Sequence, residues 1–193
     1  MKPEKQFEKD FFRRMDPYPV IETPRLRLRR VFREDADDLL EATSDPRVVK
    51  YEPWGPYDRT ETVQMLENIL NQLENGLCTE WSIERRDDAK VLGLIHLNHV
   101  DFFNRSAEVG YWLSRKCWGR GYATEALTAL TRYALTELKM DEVVAVCHPD
   151  NLASLRVLEK TGFKKQKTLS GYISLRGKTA DCPQYHLTRW DLL

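Results

Sequence analysis

The stretch from residue 108 to 130, EVGYWLSRKCWGRGYATEALTAL, restricts the possible folds more than any other part of the chain. Val109, Tyr111 and Leu113 alternate with Glu108, Gly110 and Trp112, which predicts a strand with two distinct faces. Residues 114–121 form a cation-rich loop ending in Gly-Arg-Gly. From Tyr122 the apolar residues Ala123, Ala126, Leu127, Leu130 and Ala134 recur at helical spacing. Strand, glycine loop and helix start together make a place for a phosphorylated group. The first N–H groups of a helix have no internal partner, and the positive end of its dipole lies behind them. Gly119 and Gly121 lack a Cβ, so a pyrophosphate can come close to the backbone, and Lys116 and Arg120 add charge. A bare Gly-x-Gly before a helix is equally a turn in which glycine only permits the reversal. Its companions along the chain decide between the two.

The 193 residues suit one domain able to bury roughly 70% of its unfolded surface. Thirty Lys and Arg balance thirty Asp and Glu, so no overall field favours nucleic acid or an anionic membrane, and any anion site must be local. No apolar run approaches the ~18 residues of a membrane span, and the N-terminus lacks an apolar signal region. Cys78, Cys117, Cys147 and Cys182 are far apart without a Cys-x-x-Cys, a usage expected of reduced thiols in a cytoplasmic protein.

Residues 1–20 read as an appendage whose Phe7, Phe11 and Phe12 share one face of a short helix, packed on the domain or on a partner subunit. The chain is expected to be a monomer or a homodimer, with this face as the hint of a dimer contact. Residues 21–193 read as a single domain. Strands are expected at 23–31, 80–85, 91–100, 108–113, 142–147, 163–169 and 184–190, with helices at 33–43, 60–73, 122–138 and 151–160. A polar loop, 171–182, would join the last two strands. This order predicts a mixed α/β (α+β) sheet of about seven strands covered by helices. His96 and His99 invite a metal reading, but positions three apart on a strand point to opposite faces, so no metal site is expected.

Three segments stand in fixed order: 108–113 (EVGYWL), 118–126 (WGRGYATEA) and 151–163 (NLASLRVLEKTGF). They resemble the GNAT superfamily of acetyl-CoA-dependent N-acetyltransferases, in particular its RimJ/RimL branch of ribosomal-protein N-terminal acetyltransferases. Residues 22–29, ETPRLRLR, are also characteristic of that branch. The resemblance covers residues 20–193. The family's pyrophosphate motif opens on Gln or Arg; here Lys116 stands in that position.

What the resemblance implies is a GNAT-type, mostly antiparallel sheet with helices on both faces and acetyl-CoA as the bound co-substrate, CoA being the product. The pyrophosphate would be held by Lys116, Cys117, Trp118, Gly119, Arg120 and Gly121 with Tyr122, Ala123 and Thr124 at the helix start. The strand carrying Tyr111, Trp112 and Leu113 would splay from its neighbour and pair with the pantetheine, a backbone N–H near Leu113 facing the thioester oxygen. Glu108 shares a face with Gly110 and Trp112 in an otherwise apolar strand, and the matching glutamate of the family is the base that deprotonates the amine. Ser154 would contact the cofactor sulfur and protonate or position the thiolate, Asn151 would bond a pantetheine amide, and Arg156, with Lys160, would meet the 3′-phosphate. The blander readings are an ion-paired Glu108 on a solvated face and a Ser154 and Asn151 that merely cap a helix. Tyr172 and Tyr185 are rival proton donors of lower rank.

The acceptor expected from this branch is a ribosomal or other protein N-terminus, with 45–57 and 171–182 as groove walls. A small amine, polyamine or antibiotic acceptor is the alternative, for which Glu52, Asp58 and Glu61 would supply an acidic groove. A non-catalytic acyl-CoA-binding module is the second, and a phosphate loop at Gly177-Lys-Thr179 is rejected because Tyr172 stands where glycine is required.

Overall fold

The computed structural model describes residues 2–175 and 177–192. Its elements run α1 (Pro3–Arg14), β1 (Ile21–Glu22), β2 (Leu26–Arg30), α2 (Ala36–Thr43), α3 (Arg59–Glu74), β3 (Thr79–Arg85), β4 (Val91–Asp101) and β5 (Ser106–Leu113). Then follow α4 (Tyr122–Thr136), β6 (Glu142–Val146), α5 (Leu152–Lys160), β7 (Lys164–Leu175) and β8 (Lys178–Thr188). The strands form one eight-stranded sheet in the order β1-β2-β3-β4-β5-β6-β8-β7. Every neighbouring pair is antiparallel except β5 and β6, which are joined by the α4 crossover. The strand beyond the seven expected is the two-residue β1, too short to carry a period.

Strand alternation divides the core into two layers. Trp81, Ile95 and Tyr111 lie in one cross-strand row, on the face covered by α1, α4 and α5. Ser82, Leu94 and Trp112 lie in the next row, on the face covered by α2 and α3. Val91 to Ile95 are all buried, as a central strand covered on both sides requires. In α1, Phe7 and Phe11 belong to the chain's own core, with Phe11 edge-on to Phe102 at 5.5 Å. The face read as a possible dimer contact is therefore largely covered from within, and only Phe12 of the three is exposed.

The last two strands depart most from expectation. The polar loop 171–182 is instead the outer half of one long hairpin, with Leu169 opposite Cys182 and Leu175 opposite Lys178. The ribbon extends past β6, which pairs with β8 only over Gln184 to Thr188, so both its faces meet solvent and no apolar alternation marks it. At its other end β8 stops at Thr188, and residues 189–192 form a 3-10 turn with Trp190 exposed.

Candidate active site

The β5–α4–β6 unit supplies the only parallel pair among the described residues, and that pair comes apart. Ser106, Ala107 and Glu108 pair with Glu142, Val143 and Val144; beyond Glu108 the two strands separate. β5 continues to Leu113 with β4 on one side and no strand on the other. The N–H of Ser114 donates to the Leu92 carbonyl at 2.7 Å, so even-numbered residues bond to β4. The ladder's alternation then directs the N–H groups of Val109, Tyr111 and Leu113 to the open side. A Cβ at Gly93 would lie 2.0 Å from the Trp112 carbonyl oxygen, which is why β4 carries glycine there.

A cleft of about 670 Å³ fills the parting. It is lined by Tyr111, Trp112 and Leu113 from β5, and by Cys117, Trp118, Gly119 and Gly121 from the loop. Tyr122, Ala123 and Thr124 of α4 and Asn151, Ser154, Arg156 and Lys160 around α5 complete that wall, while Arg47, Lys50, Tyr51 and Glu52 face them. Gly121, at φ +80°, is the N-cap of α4, and the first intrahelical bond is Glu125 N–H to the Gly121 carbonyl. The N–H groups of Tyr122, Ala123 and Thr124 precede it and are open to the cleft.

Three of the expected residues stand elsewhere. Lys116 does not line this cleft: its ammonium lies 3.1 Å from Glu41, beside a second, polar pocket of about 500 Å³. Glu41 also accepts from Ser114 Oγ at 2.5 Å and Lys90 Nζ at 2.9 Å. The Ser114 hydrogen bond, followed by the two lysines, holds this carboxyl down at about 2. Arg120 does not line the cleft either, and its carbonyl accepts from Arg25 Nη1 at 2.9 Å. Glu108 sits at the point where the strands separate, off the cleft wall, on the α2/α3 face. It has no arginine partner among the described residues. Its Oε2 accepts from the Tyr172 hydroxyl at 3.0 Å and lies 3.6 Å from His99 Nδ1.

On the opposite face, Tyr111 Oη and Ser154 Oγ are 3.1 Å apart, and the Ser154 N–H donates to Asn151 Oδ1 at 3.2 Å. Asn151 thus caps α5 as the blander reading had it, and Ser154 Oγ is joined to a tyrosine besides. Burial pushes the Tyr111 hydroxyl up to about 12, so it stays protonated near neutrality. Asp58 and Glu61 do not form an acidic groove: they are the reciprocal capping box of α3, at 2.8 and 2.9 Å. Glu52 alone of the three acids lines the cleft; burial raises its carboxyl against the opposing pull of His96.

The two histidines correct the alternation argument. A bulge lies between Asn98 and Asp101, with His99 at φ +48°, and it turns His99 toward Glu108. His96 lies on that same face, its Nδ1 3.2 Å from Glu80, over Gly110, where a Cβ would meet its Nε2 at 2.3 Å. Burial opposes a charge on His96, but Glu80, Glu52 and Glu108 outweigh it and raise its pKa. Among the described residues no three His, Cys, Asp or Glu side chains come together as metal ligands. No described helix is long and apolar enough to cross a membrane.

A clamp that no local sequence period marks holds the glycine loop from behind. Glu125, in the first turn of α4, accepts from Thr23 Oγ1 at 2.7 Å, Arg25 N–H at 2.9 Å and Arg25 Nε at 2.6 Å. The Arg25 guanidinium also lies over the Tyr122 ring, 4.7 Å from its centre. The available signal was the 22–29 segment, noted only as characteristic of the RimJ/RimL branch.

Residues 25–164 match the model of the acetyltransferase (GNAT) domain. The uncharacterized N-acetyltransferase p20 of Bacillus licheniformis is 33% identical over 88% of this chain and 96% of its own length. The ribosomal-protein-serine acetyltransferase of Escherichia coli is 30% identical over 55% of this chain and 56% of its own. The structure of Mycobacterium smegmatis RimJ, solved with a CoA disulfide, superposes with a TM-score of 0.78 at 23% identity, covering 90% of this chain and 89% of that one. With its parted strands, its glycine loop and a domain match over most of its length, the chain belongs to the GNAT family of N-acetyltransferases.

Proposed function

We propose that the protein transfers the acetyl group of acetyl-CoA directly to the N-terminal amine of a protein or peptide, both substrates being bound together. The observation that carries this reading is the parting of β5 from β6 beyond Glu108, with the bare backbone of 119–124 at its mouth. Those residues fit acetyl-CoA. Gly119 and Gly121 lie at φ +74° and +80° with no Cβ toward the cleft, and three N–H groups without a partner among the described residues, with the helix dipole, favour a pyrophosphate. When bound, acetyl-CoA supplies an activated acetyl thioester. The outward N–H groups of Tyr111 and Leu113 offer donors along the open strand edge, that of Leu113 suiting the thioester oxygen. Arg156 and Lys160 give positive charge at the far wall for the 3′-phosphate.

An ammonium is no nucleophile, and a free N-terminus near pH 7 is mostly charged, with a pKa of about 8. Glu108 takes the amine's proton, directly or through one water, using Oε1, which has no hydrogen-bond partner among the described residues. Ser154, with the Tyr111 hydroxyl behind it, serves the departing sulfur by a positioning hydrogen bond or a proton. A protein acceptor is favoured by the likeness to the ribosomal-protein-serine acetyltransferase, and its N-terminal amine by the resemblance of the sequence motifs to the RimJ/RimL branch. The 45–57 segment, whose Arg47, Lys50, Tyr51 and Glu52 line the cleft, and the 171–182 half of the hairpin are the proposed walls of the acceptor groove.

The test is thiol release from acetyl-CoA against peptides with Ala, Ser or Met N-termini, polyamines and aminoglycosides. Release with the peptides and not the other amines is the expected result. Release only with a polyamine or an aminoglycoside would overturn the acceptor class.

A further inference from the structure

The β7–β8 hairpin is irregular at one place. Leu169 lies opposite Cys182 and Ile173 opposite Ala180, so Ser170, Gly171 and Tyr172 face the single residue Asp181. Asp181 organises the bulge: its Oδ1 accepts from the Gly171 N–H at 2.8 Å and from Ser170 Oγ at 3.0 Å. Gly171 takes φ +60°, the left-handed conformation such a bulge needs. The residue after it is turned out of the ribbon, and the Tyr172 hydroxyl reaches across to donate to Glu108 Oε2.

We propose that Tyr172 is a positioning residue for the base: held by the Asp181 bulge, it fixes Oε2 of Glu108 and leaves Oε1 to receive the amine's proton. This rests on the reading of Glu108 as base. The bland alternative is a surface hydrogen bond that only ties down the hairpin. Three features favour positioning. Both neighbours of the carboxylate, Tyr172 and His99, lie on the same oxygen, so the other is free by construction. The donor is delivered by a built irregularity rather than by regular strand geometry. Burial, reinforced by the Glu108 charge, pushes the Tyr172 hydroxyl up to about 12, so it remains a donor throughout the neutral range.

The other titratable groups on this face are His96 and His99 from β4, Glu80 from β3 and Glu52 from the 45–57 segment. β6 presents only Val144 opposite Glu108. His96 and His99 stand beside the same carboxylate, so the test compares variants that leave both untouched.

The experiment is the pH dependence of kcat/KM, with acetyl-CoA and the best peptide acceptor, for the wild type, Tyr172→Phe, Asp181→Ala, Glu108→Gln and the Glu108→Gln/Tyr172→Phe pair. In Tyr172→Phe the ionised carboxylate loses a donor, so the acid limb should move to higher pH. Its kcat should fall about tenfold while KM for acetyl-CoA holds, and Asp181→Ala should change in the same direction. The paired variant should be no slower than Glu108→Gln alone, because a positioning residue has nothing left to position. If Glu108→Gln is inactive but the Tyr172→Phe limb is unmoved, or its loss is equal at every pH, the positioning role is overturned and the base survives. If Glu108→Gln turns over normally, both fall.

Discussion

A Cβ built at Gly119 meets no atom of the chain within 4 Å, yet the residue holds φ +74° and faces the cleft. Gly119→Val should therefore still fold, at a local cost of about 1–2 kcal/mol for a left-handed non-glycine residue. If the loop holds the pyrophosphate as proposed, titration calorimetry should show acetyl-CoA affinity falling by more than about tenfold, since the new side chain would stand in its approach. Unchanged affinity would remove the loop from the cofactor site. Glu108→Gln keeps the shape of the side chain and its place at the parting. It should lower kcat by roughly a hundredfold while leaving acetyl-CoA affinity alone, as expected for loss of a general base. The sequence exposed both residues because each breaks a local pattern, a glycine pair before a helix and an acid in an apolar strand. It hid the surroundings of Glu108. His99 reaches that carboxylate only through a bulge, and Tyr172 reaches it from a strand 64 residues later in the chain. Contacts of that kind belong to register rather than to local composition.

At the scale of elements, Glu41 ties α2 to the end of β5 and to the loop behind the cleft through Ser114, Lys90 and Lys116. Its carboxyl lies at about 2 in the folded chain against an ordinary 4.5, so folding is favoured by the charged form. That contribution is fully present above about pH 4.5 and is lost as pH falls toward 2. Partial exposure and salt screening discount it to about 1–2 kcal/mol. Thermal unfolding of Glu41→Gln should show a lower Tm than the wild type at pH 6, with the gap closing by pH 2. A gap that persists at pH 2 would mean packing, not charge, links these elements. β5 and α4 were legible because an alternating strand and a 3.6-residue helix each bury one face, and periodicity reports burial. The β7–β8 ribbon was not, since its outer half buries little besides Cys182 and is held by main-chain pairing. The parting of β5 from β6 left no mark in local pattern. It followed from the family resemblance, and its physical basis is the end of pairing at Glu108 and Val144.

Across the whole molecule, α1 belongs to the same hydrophobic core as the sheet and α4. Phe11 is 1% exposed and packs on Phe102, in the turn that leads from β4 into β5. Phe11→Ala should cost about 3–5 kcal/mol in denaturant unfolding, as for other buried aromatics cut back to alanine. A cost under about 1 kcal/mol would make α1 a separable appendage. The two faces of the sheet meet at the parting with different equipment, Ser154 and Tyr111 on one side and Glu108, His96 and Tyr172 on the other. An acyl donor entering along the open edge of β5 would therefore meet an amine arriving from the α2/α3 face. The measurement that tests this most directly uses one peptide carrying both a free N-terminus and an internal lysine, incubated with acetyl-CoA and sequenced by mass spectrometry. A single acetyl group on the N-terminal residue is the expected result, and its rate of formation should fall roughly a hundredfold in Glu108→Gln. Acetylation of the lysine alone, or of neither nitrogen while a polyamine is acetylated, would contradict it.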